Sequence, residues 1–257
     1  MGETTQETQP TEPVISIRGL HKSFGDNHVL RGVDLDIYAG ETLVILGGSG
    51  SGKTVLMKHM IGLLQPDEGQ VFIEGEDISR YSEREMQRIR LKFGMVYQWA
   101  ALFDSMTVYE NVSFPLREHH RRMSEEEIRR RVEEKLSVVG LLGTEDKYPS
   151  ELSGGMRKRV GLARGLILDP KIVLYDEPTT GLDPITTDDV DNMIIEAREA
   201  YDVTSVVISH DIGSAFKVAT KLAFLYDGVI VEEGTQDELR RSKHPHVQRF
   251  LKTWFEK

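Results

Sequence analysis

One stretch restricts what this chain can fold into more than any other: residues 47–54, GGSGSGKT, directly after the apolar run Thr42, Leu43, Val44, Ile45 and Leu46. Such a run reads as a buried parallel strand. The octet fits the pattern G-x-x-x-x-G-K-[ST], and residues 55–64 (VLMKHMIGLL) have helical character. A phosphate chain carries several negative charges, so a site for it needs many N–H donors aimed at one point with little side chain in the way. Gly47, Gly48, Gly50 and Gly52, interleaved with Ser49 and Ser51, let the backbone curl into such a nest. The nest would open onto a helix N-terminus, whose dipole also favours an anion. Lys53 is then expected to reach the β- and γ-phosphates, and the Thr54 hydroxyl to ligate Mg2+. The competing reading, a glycine-rich turn that binds nothing, has the strand before, the helix after and the Lys-Thr pair against it.

A chain of 257 residues, 39% hydrophobic and 29% charged, can bury a full core. Its uninterrupted apolar runs are only a few residues long, so none is expected to span a bilayer and any link to a membrane must come through a partner. Residues 1–13 are polar and acidic, without the basic and apolar regions of a signal peptide, and read as a disordered lead-in. The absence of cysteine excludes disulfides, thiol catalysis and thiolate metal sites. A net charge of −10 argues against a nucleic-acid partner.

Taken in order, residues 14–20 (VISIRGL) and 33–37 (VDLDI) alternate apolar and polar and read as strands with one solvated face. Phe24 lies between them. An aromatic at the end of a β-layer can stack on an adenine ring, worth ~1–3 kcal/mol in other base-binding proteins; on the residues alone, a core position is the competing reading. Residues 70–74 and 93–97 read as further strands, with a charged amphipathic helix at 83–91 between them. Gln98 ends the second of these strands, placed to touch Mg2+ or an attacking water unless it merely solvates a loop.

From 99 to 165 the pattern turns helical, an insertion between the phosphate loop and the next strand. Ser124 with Glu127 reads as a capping box, and Arg129, Arg130 and Arg131 as a solvated face. The block ends in Leu152-Ser153-Gly154-Gly155-Met156, where Ser153 caps a helix and Gly154 and Gly155 allow close backbone approach to a second anion, or simply start a helix. Residues 171–175 (KIVLY) are a buried strand delivering Asp176 and Glu177 to the C-terminal sheet edge, where ligands of open α/β sheets sit. Successive side chains diverge, so Asp176 can hold Mg2+ while Glu177 polarises a water for in-line attack; alone, such a pair is often only a helix cap. Asp183 lies in a turn before a helix through 200, and the strand 203–209 ends at His210, able to donate to a γ-phosphate or to serve structure only. Strands at 221–226 and 229–233 and helices after Thr235 and His246 complete the chain.

This ordered set resembles the ATP-binding cassette (ABC) family from Phe24 to about Gly234: Walker A at 47–54, the Q-loop at Gln98, the LSGGM signature around Ser153, Walker B ending at Asp176 with Glu177, the D-loop at Asp183 and the switch histidine His210. The resemblance implies an α/β fold, a RecA-like P-loop NTPase core with an antiparallel β subdomain (14–98 and 166–257) and a helical signature subdomain (99–165). It further implies ATP and Mg2+ as ligands, Lys53, Gln98, Glu177 and His210 as the catalytic set, and a head-to-tail homodimer in which Ser153, Gly154 and Gly155 of one subunit close over ATP held by the other. Met156 in place of the commoner Gln, the run ALFDSMTVYENVSFPLRE after the Q-loop, GLDPITT and HVQRFL look like the ATPase subunits of Mla-type, MCE-associated phospholipid transporters of diderm bacteria and plastids. That narrower likeness implies a peripheral place on the cytoplasmic side of the inner membrane, an integral permease, an MCE-domain lipid-binding protein and a small accessory cytoplasmic protein.

On this reading ATP binding closes the dimer, hydrolysis reopens it, and the helical block passes the motion to a permease, docking through residues 99–106, where Ala100, Ala101, Leu102 and Phe103 form an apolar patch. Two alternatives compete: an import ATPase for a small solute such as an amino acid, which shares every catalytic residue, and, from another class, a non-transport ATPase of the DNA-repair or chromosome-structure kind. The acidic balance and the lack of a coiled-coil insertion stand against the second.

Overall fold

The computed structural model describes residues 12–255, so the lead-in expected at 1–13 lies almost wholly outside the described residues. The strands are β1 (Ile15–Phe24), β2 (Asn27–Ile37), β3 (Thr42–Leu46), β4 (Glu68–Ile73), β5 (Glu76–Asp77), β6 (Phe93–Val96), β7 (Ile172–Asp176), β8 (Thr204–Ser209), β9 (Lys221–Tyr226) and β10 (Val229–Gly234). The helices are α1 (Lys53–Met60), α2 (Glu83–Arg90), α3 (Val108–His119), α4 (Glu125–Val138), α5 (Gly154–Leu166), α6 (Pro184–Tyr201), α7 (Ile212–Val218), α8 (Gln236–Arg240) and α9 (Pro245–Phe255).

They form a four-stranded sheet of order β2-β1-β4-β5 and a six-stranded sheet of order β10-β9-β3-β8-β7-β6. The first is antiparallel throughout; in the second β9, β3, β8, β7 and β6 run parallel and β10 adds an antiparallel edge. β3, β7 and β8 carry five- and six-residue apolar or small runs that are almost wholly buried, as a strand covered on both faces requires. Alternation along them divides the core. Leu43, Ile45, Leu174 and Ile208 join one cluster with α1 and the antiparallel sheet, while Val44, Leu46, Tyr175 and Val207 join a second with α3 to α7. The fold is thus the expected mixed α/β arrangement, with the phosphate-loop strand β3 at its centre.

Local chemistry sets the helix starts. Ser82 with Glu85 and Thr107 with Glu110 close reciprocal capping boxes, Ser153 accepts from the Met156 amide at 3.2 Å, and Asp183 precedes Pro184 at the first turn of α6. The box expected at Ser124 closes only halfway. Ser124 Oγ accepts from the Glu127 amide at 3.2 Å, but the Glu127 carboxylate turns away to Arg130 and Arg131. Two guanidiniums outbid one backbone N–H, since charge-assisted bonds are the stronger. The arginine run is therefore paired as well as solvated, and Arg131 also reaches Asp169 at 3.1 Å.

Four elements differ from the expected pattern. β1 and β2 run on past residues 20 and back before 33 into one long hairpin, turning at Gly25 and Asp26. β5 and α7 are too short to leave a periodicity in the sequence. Helices α3 to α5 fill the stretch expected to be helical, and α5 lies with its C-terminal end against β6, where a Cβ on Gly94 would stand 2.4 Å from the Gly165 carbonyl oxygen.

Candidate functional site: two clefts on one loop

The chain from β3 to α1 forms a cradle because its glycines take conformations that side chains resist. Gly50 (φ 76°) and Gly52 (φ 103°) lie in the left-handed region, and a Cβ on Gly47 would approach the Leu225 carbonyl oxygen to 2.5 Å. A cleft of ≈ 750 Å³ opens over this loop, lined by Gly48, Ser49, Gly50, Ser51, Gly52, Lys53, Thr54, Phe24, Gln98, Glu177 and His210. The structure thus brings together residues from five separate segments. Ser51 Oγ is buried there without a hydrogen-bond partner, a donor of the kind a phosphate oxygen would satisfy.

Lys53 is buried, and its ammonium donates to the Gly47 and Gly48 carbonyl oxygens at 2.9 and 3.1 Å, 3.7 Å from Glu177 Oε1. Burial pulls its amine below the usual range, opposed by the Glu177 carboxylate beside it. Thr54 Oγ1 donates to Asp176 Oδ1 at 3.3 Å. Burial pushes the Asp176 carboxyl up, against the pull of that hydroxyl. These two hard oxygen donors suit a divalent cation of Mg2+ type, which takes one or two protein ligands and completes its shell with water and phosphate.

Glu177 follows the last residue of β7 and holds φ at +50°, unusual for a side chain of its size, with its amide bonded to the Ile208 carbonyl at 3.0 Å. The carboxylate is held from two sides: His210 Nδ1 lies 2.7 Å from Oε2, and Thr180 Oγ1 donates to the same oxygen at 2.9 Å. Because a carboxylate only accepts, the imidazole proton sits on Nδ1 in this contact. Phe24, 49% exposed at the end of β1, stands at the cleft mouth with the Lys22 ammonium 5.7 Å from its ring, so it is not a core residue.

A second cleft, ≈ 670 Å³, takes in Ser153, Gly154, Gly155, Gly181, Leu182 and Asp183. Two helix N-termini face it: α5, capped by Ser153, and α6, capped by Asp183, whose carboxylate accepts from the Ile185 and Thr186 amides at 3.0 and 3.1 Å. None of its lining is shared with the first cleft. The loop from Glu177 to Asp183 runs between them, with Thr180 on one side and Gly181 on the other.

Two residues beside the glycine loop escaped the sequence. Thr180 looks like any loop threonine until its hydroxyl is seen on Glu177. Phe250 reaches the first cleft from α9, packed edge-on against Phe224 at 5.0 Å; its only signal was the apolar spacing of HVQRFL. The apolar patch at 100–103 needs correcting. Ala100 is 1% exposed, turned inward against Gly161 with its carbonyl accepting from Arg164, and the exposed aromatics are Trp99 (77%) and Phe103 (44%). Its left-handed backbone (φ 59°) points the methyl into the core.

The sequence profile of the ABC transporter family matches residues 30–180, more than half of the chain. The chain belongs to the ABC transporter family. As an ABC protein it is an ATP-binding, ATP-hydrolysing subunit, and its similarities run almost end to end. It is 46% identical over 242 residues to the probable ribonucleotide transport ATP-binding protein mkl of Mycobacterium leprae, covering 94% of this chain and 70% of that one. To the intermembrane phospholipid transport system ATP-binding protein MlaF of Haemophilus influenzae it is 39% identical over 239 residues, 93% of this chain and 90% of the relative. Among solved structures, the dimeric post-hydrolysis state of the ATP-binding cassette MJ0796, bound to ADP and Pi, superposes with a TM-score of 0.78 at 33% identity, covering 86% of this ABC chain and 98% of that one. No helix of the described residues is long and apolar enough to cross a membrane.

Proposed function

We propose that this ABC ATPase drives phospholipid movement between membranes as a head-to-tail homodimer, peripheral on the cytoplasmic side of the inner membrane and bound to an integral permease. The observation that carries the dimer is the presence, in separate clefts of one chain, of two glycine-flanked helix starts whose free amides suit an anion. Neither cleft alone surrounds a triphosphate, whereas the glycine loop of one copy and the Ser153 cleft of another would. The likeness to MlaF over nearly the full length of both chains supports the lipid substrate. With it come an MCE-domain lipid-binding protein and a small accessory protein as further partners.

In this reading the amides before Lys53 and its ammonium hold the β- and γ-phosphates, and Phe24 stacks on the adenine. Thr54 and Asp176, with Gln98 nearby, are the residues to hold Mg2+, which when bound supplies positive charge at the β- and γ-oxygens. Glu177 takes the proton of the attacking water, and His210 and Thr180 fix its carboxylate for that task. The α5 amides following the partner's signature serine, and the D-loop aspartate, complete the far wall. Trp99, Phe103 and the groove beside them are the surface offered to the permease.

Replacing Glu177 with Gln keeps the contacts to phosphate and removes the base. The variant should bind ATP, elute as a dimer in its presence, and hydrolyse it at least a thousandfold more slowly. Hydrolysis at the parental rate would withdraw Glu177 as the base. A second reading, import of a small solute, is favoured by the 38% identity over 244 residues to the methionine import ATP-binding protein MetN of Carboxydothermus hydrogenoformans, covering 93% of this chain and 72% of that one. Extraction of the complex from native membranes and identification of its bound ligand separates the two: phospholipid supports the first, a soluble solute the second.

A further inference from the structure

Lys158 lies in the second turn of α5 and is only 6% exposed. Burial pulls its amine down to about 8, with no carboxylate nearby to offset the loss of water. Among the described residues its ammonium instead donates to two carbonyl oxygens, that of Pro178 and, at 3.4 Å, that of Thr180. Both belong to the short loop that begins with the Glu177 carboxylate and ends with Asp183 capping α6. Thr180 carries the connection onward, since its hydroxyl donates to Glu177 Oε2 at 2.9 Å.

A buried, unpaired ammonium is a costly way to fill space, and a methionine of similar reach would pack there without that cost. What the charge adds is direction: charge-assisted bonds to carbonyls fix the loop against the helix more tightly than neutral contacts would. The helix so fixed is the one whose N-terminus, four to five residues away, faces the second cleft. A shift of that N-terminus is therefore transmitted through one side chain to the backbone that aims Glu177 in the first.

We propose that Lys158 is a positioning residue that couples the two composite nucleotide sites, fastening the signature helix of one site to the loop that orients Glu177 in the other. The inference rests on the head-to-tail pairing and on the role of Glu177 proposed above.

The test compares full-length Lys158→Met and Lys158→Arg with the parental chain and Glu177→Gln, as purified protein and in complex with its membrane partner. Lys158→Met should keep its Kd for Mg-ATP and its KM within about twofold, lose about tenfold or more in kcat, and drop in Hill coefficient from about 2 toward 1. Lys158→Arg should recover most of the kcat and the cooperativity, because a guanidinium can reach the same two carbonyls. Parental kcat and cooperativity in the methionine variant, or equal impairment of both variants, would overturn the proposal. Should the methionine variant fail to fold, Lys158→Gln, which keeps a donor without the charge, takes its place: reduced kcat and cooperativity support the coupling, parental values refute it. An active Glu177→Gln would instead remove the underlying site assignment, whatever Lys158 does.

Discussion

Asp191 shows how much can hinge on one buried carboxyl. It is 2% exposed on α6 and accepts from Ser214 Oγ on α7, and burial raises its pKa from 3.8 to about 6, with Lys217 opposing and Asp211 and Asp188 reinforcing the shift. A carboxyl whose folded pKa is raised stabilises the fold only while protonated: its contribution is complete below pH 3.8 and is lost as pH rises through 6. At neutral pH the ionised form costs of order 2–3 kcal/mol. Asp191→Asn can still accept from Ser214 without the charge, so it should raise Tm by several degrees at pH 8, with the gain shrinking as pH is lowered from 6 toward 4. A pH-independent change in Tm would refute the assignment. At this scale the sequence located Lys53, Thr54, Asp176 and Glu177 by local spacing alone, and the fold gathers Lys53, Thr54 and Glu177 at one cleft with Asp176 bonded to Thr54; the roles given to them are those proposed above. Local spacing could not reach Thr180, Lys158 or Phe250, whose partners lie far along the chain or depend on a loop turning back.

Among elements, the buried parallel strands were the most legible, because burial on both faces leaves β3, β7 and β8 as unbroken apolar or small runs. The β1–β2 hairpin was only half visible. Its outer half, around Phe24 and Asn27, is largely solvent-exposed and interrupted by register shifts, so polar residues occupy both faces and the alternation fades. The close approach of α5 to β6 was invisible, being written in two glycines 71 positions apart, Gly94 and Gly165. Gly94→Ala should drive α5 off the sheet: the nearest atoms are the Gly165 backbone, which cannot swing aside, with the rigid Pro170 ring at 3.1 Å beside it, and a loss of about 1–3 kcal/mol is expected. Urea denaturation reads that directly. Because the same helix carries Ser153 at its start, ATPase activity should fall even at temperatures where Gly94→Ala remains folded; an unchanged denaturation midpoint would mean the helix shifts freely.

For the whole molecule, the ABC pattern let the sequence foresee the mixed α/β architecture and its central sheet, since the phosphate loop, Gln98, Glu177 and His210 each follow a strand of that sheet, β3, β6, β7 and β8, although in space these lie in the order β3-β8-β7-β6. It did not foresee that the loop from Glu177 to Asp183 touches both clefts, and that loop has a genetic consequence. In the head-to-tail pairing proposed above each chain is half of two different machines, so defects in opposite halves need not add. A chain damaged at Lys53 and another damaged at Ser153 would each be inactive when paired with itself. Mixed together, the two would assemble one pairing that is broken twice and one that is whole, and hydrolysis should return to a measurable fraction of the parental rate. Two crippled genes expressed together should then complement each other, whereas two alleles struck in the same half never will.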